Sequence, residues 1–160
     1  MKIIFSDKKP RDECAIFGIS GNPQAAELVA LGLHALQHRG QDSTGVVTTD
    51  SINFFAHRGM GQVSEVFSEK KIFNHLKGDL SIGHNRYGTT GESALKNVQP
   101  LFSELNIGGL AIAHNGNLTN TNFLREEFIK DGAIFQSTSD TEVILHLISR
   151  SKGDLIDRLI

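Results

Sequence analysis

Cys14-Ala15-Ile16-Phe17-Gly18-Ile19 joins the only thiol of the chain to a short apolar run. A run of that length without helical spacing predicts a buried strand, with the thiol at its head. Upstream, residues 1–13 form a polar, charged leader. Downstream, Asn22-Pro23 predicts a helix start, with Asn as N-cap and Pro in the first turn. The stripe Ala25, Leu28, Val29, Gly32, Ala35, Leu36 follows at helical spacing and stops before Gly40.

Val46–Thr49 and Ile52–Phe55 predict two strands around a turn at Asp50-Ser51. A helix is expected from Glu65 to Leu76, halted by Gly78. Leu80, Ile82 and His84 alternate with Ser81, Gly83 and Asn85, which is strand periodicity. Leu110–Ala113 reads as a further buried strand ending at His114-Asn115-Gly116-Asn117. Phe123, Leu124, Glu127 and Phe128 belong to a helix that ends near Gly132. Ser139-Asp140-Thr141-Glu142 has the capping-box pattern and opens a helix burying Val143, Ile144, Leu147 and Ile148. Residues 154–160 look like the first turns of another helix, cut short. Strand follows strand early on, against a regular βαβ alternation, so the class is α+β.

With 160 residues the chain is one domain with one core. Its net charge of -2 gives no footprint for nucleic acid or an anionic membrane. The basic group Lys8-Lys9-Pro10-Arg11 is cancelled by Asp7, Asp12 and Glu13. A single cysteine excludes an intrachain disulfide and any site needing four thiolates from this chain, and no metal site is expected. No window approaches the ~20 apolar residues that span a bilayer, and the apolar run after Lys2 is too short for a signal peptide. A cytoplasmic location is expected.

A thiol with an ordinary pKa of ~8.5 is mostly protonated near neutrality and needs a base. An α-amino group on the same residue can serve, provided residues 1–13 are removed. The plain alternative for Cys14 is a small buried hydrophobe. Arg39-Gly40, within His38–Gly45, suits a close backbone approach to a ligand, or a solvated loop. Arg86 ends a strand where it can clamp a carboxylate through two parallel hydrogen bonds, or form a structural ion pair. Asn115-Gly116 is either a turn or an oxyanion hole built from a side-chain amide and a backbone N–H. Asp140 at a helix start stabilises that helix, or holds an ammonium group. Together these supply a nucleophile, an oxyanion hole, a carboxylate clamp and an ammonium acceptor. Glutamine presents a matching amide and amino-acid end.

Five ordered stretches carry a resemblance: Glu13–Ile19, Gln37–Ser43, His84–Thr89, Asn97-Val98-Gln99-Pro100-Leu101 and Ala113–Thr119. They resemble the glutaminase half of the amidophosphoribosyltransferase family, class II glutamine amidotransferases. The resemblance implies an N-terminal-nucleophile hydrolase fold, an αββα sandwich of two antiparallel sheets between helical layers. It implies that Cys14 is nucleophile and base, that Asn115 and Gly116 form the oxyanion hole, and that Arg86 and Asp140 bind glutamine. Thr89 and Arg39 would line the pocket. Ala15 departs from the family, which usually has Gly beside the nucleophile.

The expected organisation is a leader at 1–13, an amidotransferase domain at 14–153 and the start of a following helix at 154–160. The phosphoribosyltransferase half is absent, and with it magnesium and the iron–sulfur cluster of some members; no cofactor is expected here. The partners implied are L-glutamine, a separate phosphoribosyltransferase chain, and further copies in a homo-oligomer of the full enzyme. Two alternatives stay open: an inactive remnant or interaction domain, and the glutaminase part of another class II amidotransferase.

Overall fold

The computed structural model describes residues 14–87 and 94–159. The expected leader, Thr89 and Ile160 lie outside the described residues. Strand β1 (Ala15–Ser20) begins directly after Cys14. The Asn22 side chain then accepts from the Gln24 N–H at 2.8 Å, capping the turn that leads into helix α1 (Ala25–Ala35).

The buried stripe of α1 is Ala25, Ala26, Val29, Ala30 and Leu33. It is rotated from the expected one, for Leu33 is fully buried and Ala35 is exposed. Gly32 is the reason. A Cβ there would lie 2.5 Å from Phe17 Cδ1. The Phe17 ring therefore fills the space at Gly32, and Leu33 takes the core position beside it.

Strands β2 (Ser43–Thr49) and β3 (Phe54–Met60) pair antiparallel, with Thr49 opposite Phe54. Strand β4 (Leu80–Arg86) lies between β1 and β2, and the four-stranded sheet runs β1-β4-β2-β3. Helix α1 covers one face of it, where Ala26, Val29, Ala30 and Leu33 join Val46, with Phe17 and Phe55 packed around them. Fully burying each larger aliphatic side chain contributes about 1.5–3 kcal/mol.

Residues 63–76 correct the expectation of one helix from Glu65 to Leu76. A single turn, α2 (Val63–Val66), is followed by a 3-10 turn at Lys70–Ile72. The Phe67 and Phe73 rings stack with centroids 5.6 Å apart, and His57 meets Phe67 edge-on at 5.2 Å. Six residues apart, those two rings would be separated by roughly 120° around a continuous helix. Stacking them breaks the helix.

Strands β5 (Leu101–Leu105) and β6 (Gly108–Ile112) form a second antiparallel sheet, with Leu101 opposite Ile112. No strand is expected at 101–105 from the sequence, and β6 is half-exposed where a buried strand is expected. Phe54 of β3 stacks on Phe102 of β5 at 6.3 Å, so the two sheets face one another. Helix α4 (Asp140–Arg150) packs on β5, and α3 (Thr121–Lys130) packs on α4. The layers are thus helix, sheet, sheet, helix, an α+β arrangement.

Ser139 caps α4, accepting from the Thr141 N–H at 3.2 Å. Glu142 does not close the expected box. It accepts instead from the Gln136 and Ser137 N–H groups at 2.8 and 2.7 Å, and from the Ser137 hydroxyl at 2.6 Å. The buried face of α4 is Thr141, Val143, Leu145 and Ile148, and Leu147 is exposed. A short helix α5 (Leu155–Leu159) follows, with Leu155, Ile156 and Leu159 exposed.

Candidate active site

The register pairs Ala15 with Asn85, so Cys14 and Arg86 meet one residue further out, at the end of the four-stranded sheet. Asn85 turns toward α1. Its amide donates to the Leu33 carbonyl at 2.7 Å, and its oxygen accepts from the Thr44 hydroxyl at 2.7 Å. Strand alternation then sends His84 and Arg86 to the opposite face, between the sheets.

A cavity of about 380 Å³ opens there, lined among others by Cys14, Arg86, Gln99, His114, Gly116 and Asp140. Four parts of the fold converge on it: Cys14 just before β1, Arg86 at the end of β4, Gly116 in the loop after β6, and Asp140 at the start of α4.

Cys14 is held at two atoms. Its Sγ accepts from the Tyr87 N–H at 3.4 Å, a donor that stabilises negative charge developing on sulfur. Its carbonyl accepts from Arg39 Nε at 3.0 Å and from Asn115 Nδ2 at 3.3 Å. Arg39 does not line the cavity; its Nε reaches the main chain of Cys14 instead. Ala15 is buried at the start of β1.

Gly40 is tightly enclosed, though not by a ligand. A Cβ there would lie 2.8 Å from the Arg86 carbonyl carbon and 2.9 Å from the Asn85 oxygen. The close approach foreseen for Arg39-Gly40 is made to the backbone of β4, which brings Arg39 to Cys14.

Asp140 is the first residue of α4, where the helix dipole favours a carboxylate. One oxygen accepts from the Leu118 N–H at 2.9 Å, and the other lies 3.8 Å from His114 Nδ1. A carboxylate has about four acceptor positions, so it can take an ammonium group as well. His84 is fully buried, and burial pushes its pKa down to about 4. Its Coulombic neighbours Arg86 and His114 also lower it, while the His114 main chain opposes the shift.

The structure brings Cys14, Arg86, Asn115, Gly116 and Asp140 together. Thr89 lies outside the described residues. Sequence reasoning gave no role to Gln99, although its side chain accepts from the His114 N–H at 2.7 Å and it lines the cavity. Its burial shows only in the fold, and no signal in the sequence sets it apart from other amides. Among the described residues no cluster of His, Cys, Asp and Glu could hold a metal, and no helix is long and apolar enough to cross a membrane.

Residues 55–160 match the family described as glutamine amidotransferase domain. An amidophosphoribosyltransferase of Rhizobium etli is 58% identical over 141 residues, covering 88% of this chain and 28% of that protein. One of Lacticaseibacillus casei is 49% identical over 142 residues, covering 89% of this chain and 73% of the relative. Among solved structures, the allosteric regulatory enzyme of purine biosynthesis matches with a TM-score of 0.83 and 46% identity, over 90% of this chain. The glutamine phosphoribosylpyrophosphate amidotransferase from B. subtilis, complexed with ADP and GMP, matches with a TM-score of 0.81 and 44% identity, also over 90%. The chain spans 31% of each solved chain, and under a third of the Rhizobium relative. With this identity, coverage and fold, the chain belongs to the glutamine amidotransferase domain family, in its amidophosphoribosyltransferase branch.

Proposed function

We propose that this chain hydrolyses L-glutamine to glutamate and ammonia, as the glutaminase part of an amidophosphoribosyltransferase that uses the ammonia in purine nucleotide synthesis. The observation that carries the reading is the convergence of Cys14, Gly116, Arg86 and Asp140 on one cavity.

Glutamine binds with its carboxylate on Arg86 and its ammonium on Asp140. The side-chain amide then reaches Cys14. Once residues 1–13 are removed, the Cys14 amine takes the thiol proton while Sγ bonds to the amide carbon. The developing oxyanion is held by the Gly116 N–H and Asn115 Nδ2. Asn115 has two amide hydrogens, so one stays on the Cys14 carbonyl while the other meets the oxyanion. The amine returns the proton to the leaving nitrogen, the C–N bond breaks, and ammonia departs from a γ-glutamyl thioester. Water adds to that thioester, glutamate leaves and the thiol is restored.

Arg39 acts in this scheme as a support for the nucleophile's carbonyl. A phosphoribosyltransferase unit, with its magnesium, is the consumer of the ammonia, and the assembled enzyme works as a cytoplasmic homo-oligomer.

Glutamate release by the chain, with its intact mass, tests the reading. The expected result is turnover that accompanies loss of residues 1–13 and disappears in Cys14→Ala. Undiminished release by Cys14→Ala would overturn it. A chain that loses the leader, keeps its fold and does not turn over glutamine would favour an interaction domain.

A further inference from the structure

The stretch Asn97-Val98-Gln99-Pro100 has no part in the chemistry above, yet it is among the most buried polar segments of the chain. Asn97 is 1% exposed, Val98 0% and Gln99 6%. Its main chain is fixed to the inner face of the four-stranded sheet. Arg58 Nη1 of β3 donates to the Val98 carbonyl at 3.2 Å and to the Pro100 carbonyl at 3.5 Å. The Gln99 carbonyl lies over Gly45 of β2, where any Cβ would collide with it.

From that anchored backbone the two amide side chains reach different loops. Gln99 Oε1 accepts from the His114 N–H at 2.7 Å, one residue before Asn115. Asn97 Oδ1 accepts from the Thr138 N–H at 2.9 Å, and Asn97 Nδ2 donates to the Thr138 hydroxyl at 2.8 Å, two residues before Asp140. The first loop carries the oxyanion donors and the second carries the ammonium acceptor.

We infer that Gln99 and Asn97 are separate positioning residues: Gln99 sets the oxyanion hole through His114, and Asn97 sets the amino-group acceptor through Thr138. The inference rests on the glutaminase reading. Misplacing oxyanion donors by a fraction of an ångström weakens contacts made only in the transition state, whereas loosening Asp140 weakens ground-state binding. The two residues should divide between kcat and KM.

Four variants of the chain, assayed for glutamate release, read this out. Gln99→Met keeps length and loses the acceptor; kcat should fall by roughly 10-fold or more, with KM within about 2-fold. Gln99→Glu keeps an acceptor for the His114 N–H and should recover most of kcat. Asn97→Ala should raise KM by about 10-fold with a smaller change in kcat, and Asn97→Asp, which still accepts from Thr138, should restore it. Amide hydrogen exchange supplies a readout that needs no turnover. Gln99→Met should accelerate exchange in residues 113–117 and leave 136–141 unchanged, and Asn97→Ala should do the reverse; the Leu118 N–H, bonded to Asp140, is left out of the comparison. Equal losses in both constants from both residues, or exchange that rises in both loops together, would overturn the inference. A wild-type chain without turnover would count against the glutaminase reading alone, because the exchange pattern would still decide whether the two loops are held separately.

Discussion

The two faces of the four-stranded sheet are made of the same strands and behave as different materials. Toward α1 the sheet presents Val46, Phe17 and Phe55 to Val29, Ala30 and Leu33, an apolar contact filled to the point that Gly32 must lack a side chain. Toward the second sheet it presents Arg58, His84 and Arg86, and there Arg58 both donates to the Val98 and Pro100 carbonyls and lies over the Phe102 ring. One face carries cohesion by burial. The other is wired by directional bonds, with Arg58, Gln99 and Asn97 fixing the loops that shape the cavity. Stability and site geometry should therefore respond to different substitutions.

The largest separation is expected from Leu33→Ala on the helical face. Removing a fully buried leucine should cost about 4 kcal/mol of stability in urea unfolding, with glutamate release per folded molecule nearly unchanged. Comparable losses of turnover and stability would show that the faces are not independent. Asn115→Ala on the other side should do the converse. It removes a donor to the Cys14 carbonyl and, in the proposed mechanism, to the oxyanion, so kcat should fall by about 10²–10³ while the unfolding midpoint moves little.

His84 sharpens the contrast through pH. Its folded pKa of about 4 lies below the ordinary 6.5, so below pH 6.5 the unfolded chain takes up a proton that the folded one refuses. The corresponding stability is fully present above pH 6.5 and is lost as pH falls toward 4, by about 3 kcal/mol. His84→Gln should flatten that part of the stability profile; parallel curves for the two proteins would contradict it. The smallest effect belongs to the cap of α4. Ser139→Ala should cost about 1 kcal/mol, the worth of one N-cap, and should raise KM slightly because Asp140 is the next residue.

The apolar face was the more legible in the sequence, though not fully. β1, α1 and β4 follow from runs and spacing, but the stripe of α1 is displaced because Gly32 accommodates Phe17, a tertiary contact that helical spacing cannot contain. The broken segment after α2 has the same origin, since its aromatic stacking is between residues that helical periodicity separates. β5 escapes detection because Leu101 and Phe102 put an apolar residue on each side, which hides the period of two. At the cavity, Cys14, Arg86, Asn115, Gly116 and Asp140 stand out in the sequence because each is a residue type whose chemistry matches part of an amino-acid amide, and the fold brings these five near one another. Gln99 and Asn97 were not, because an amide that holds a loop looks in sequence like any other amide. Their roles come from which N–H they accept.

The most direct measurement is acid-quenched mass spectrometry of the chain during turnover of glutamine. A γ-glutamyl thioester on a peptide that begins at Cys14 is the predicted result, and it would be absent from Cys14→Ala. Glutamate formed at full rate with no adduct at Cys14, or with an adduct on another residue, would contradict the assignment of Cys14 as the nucleophile.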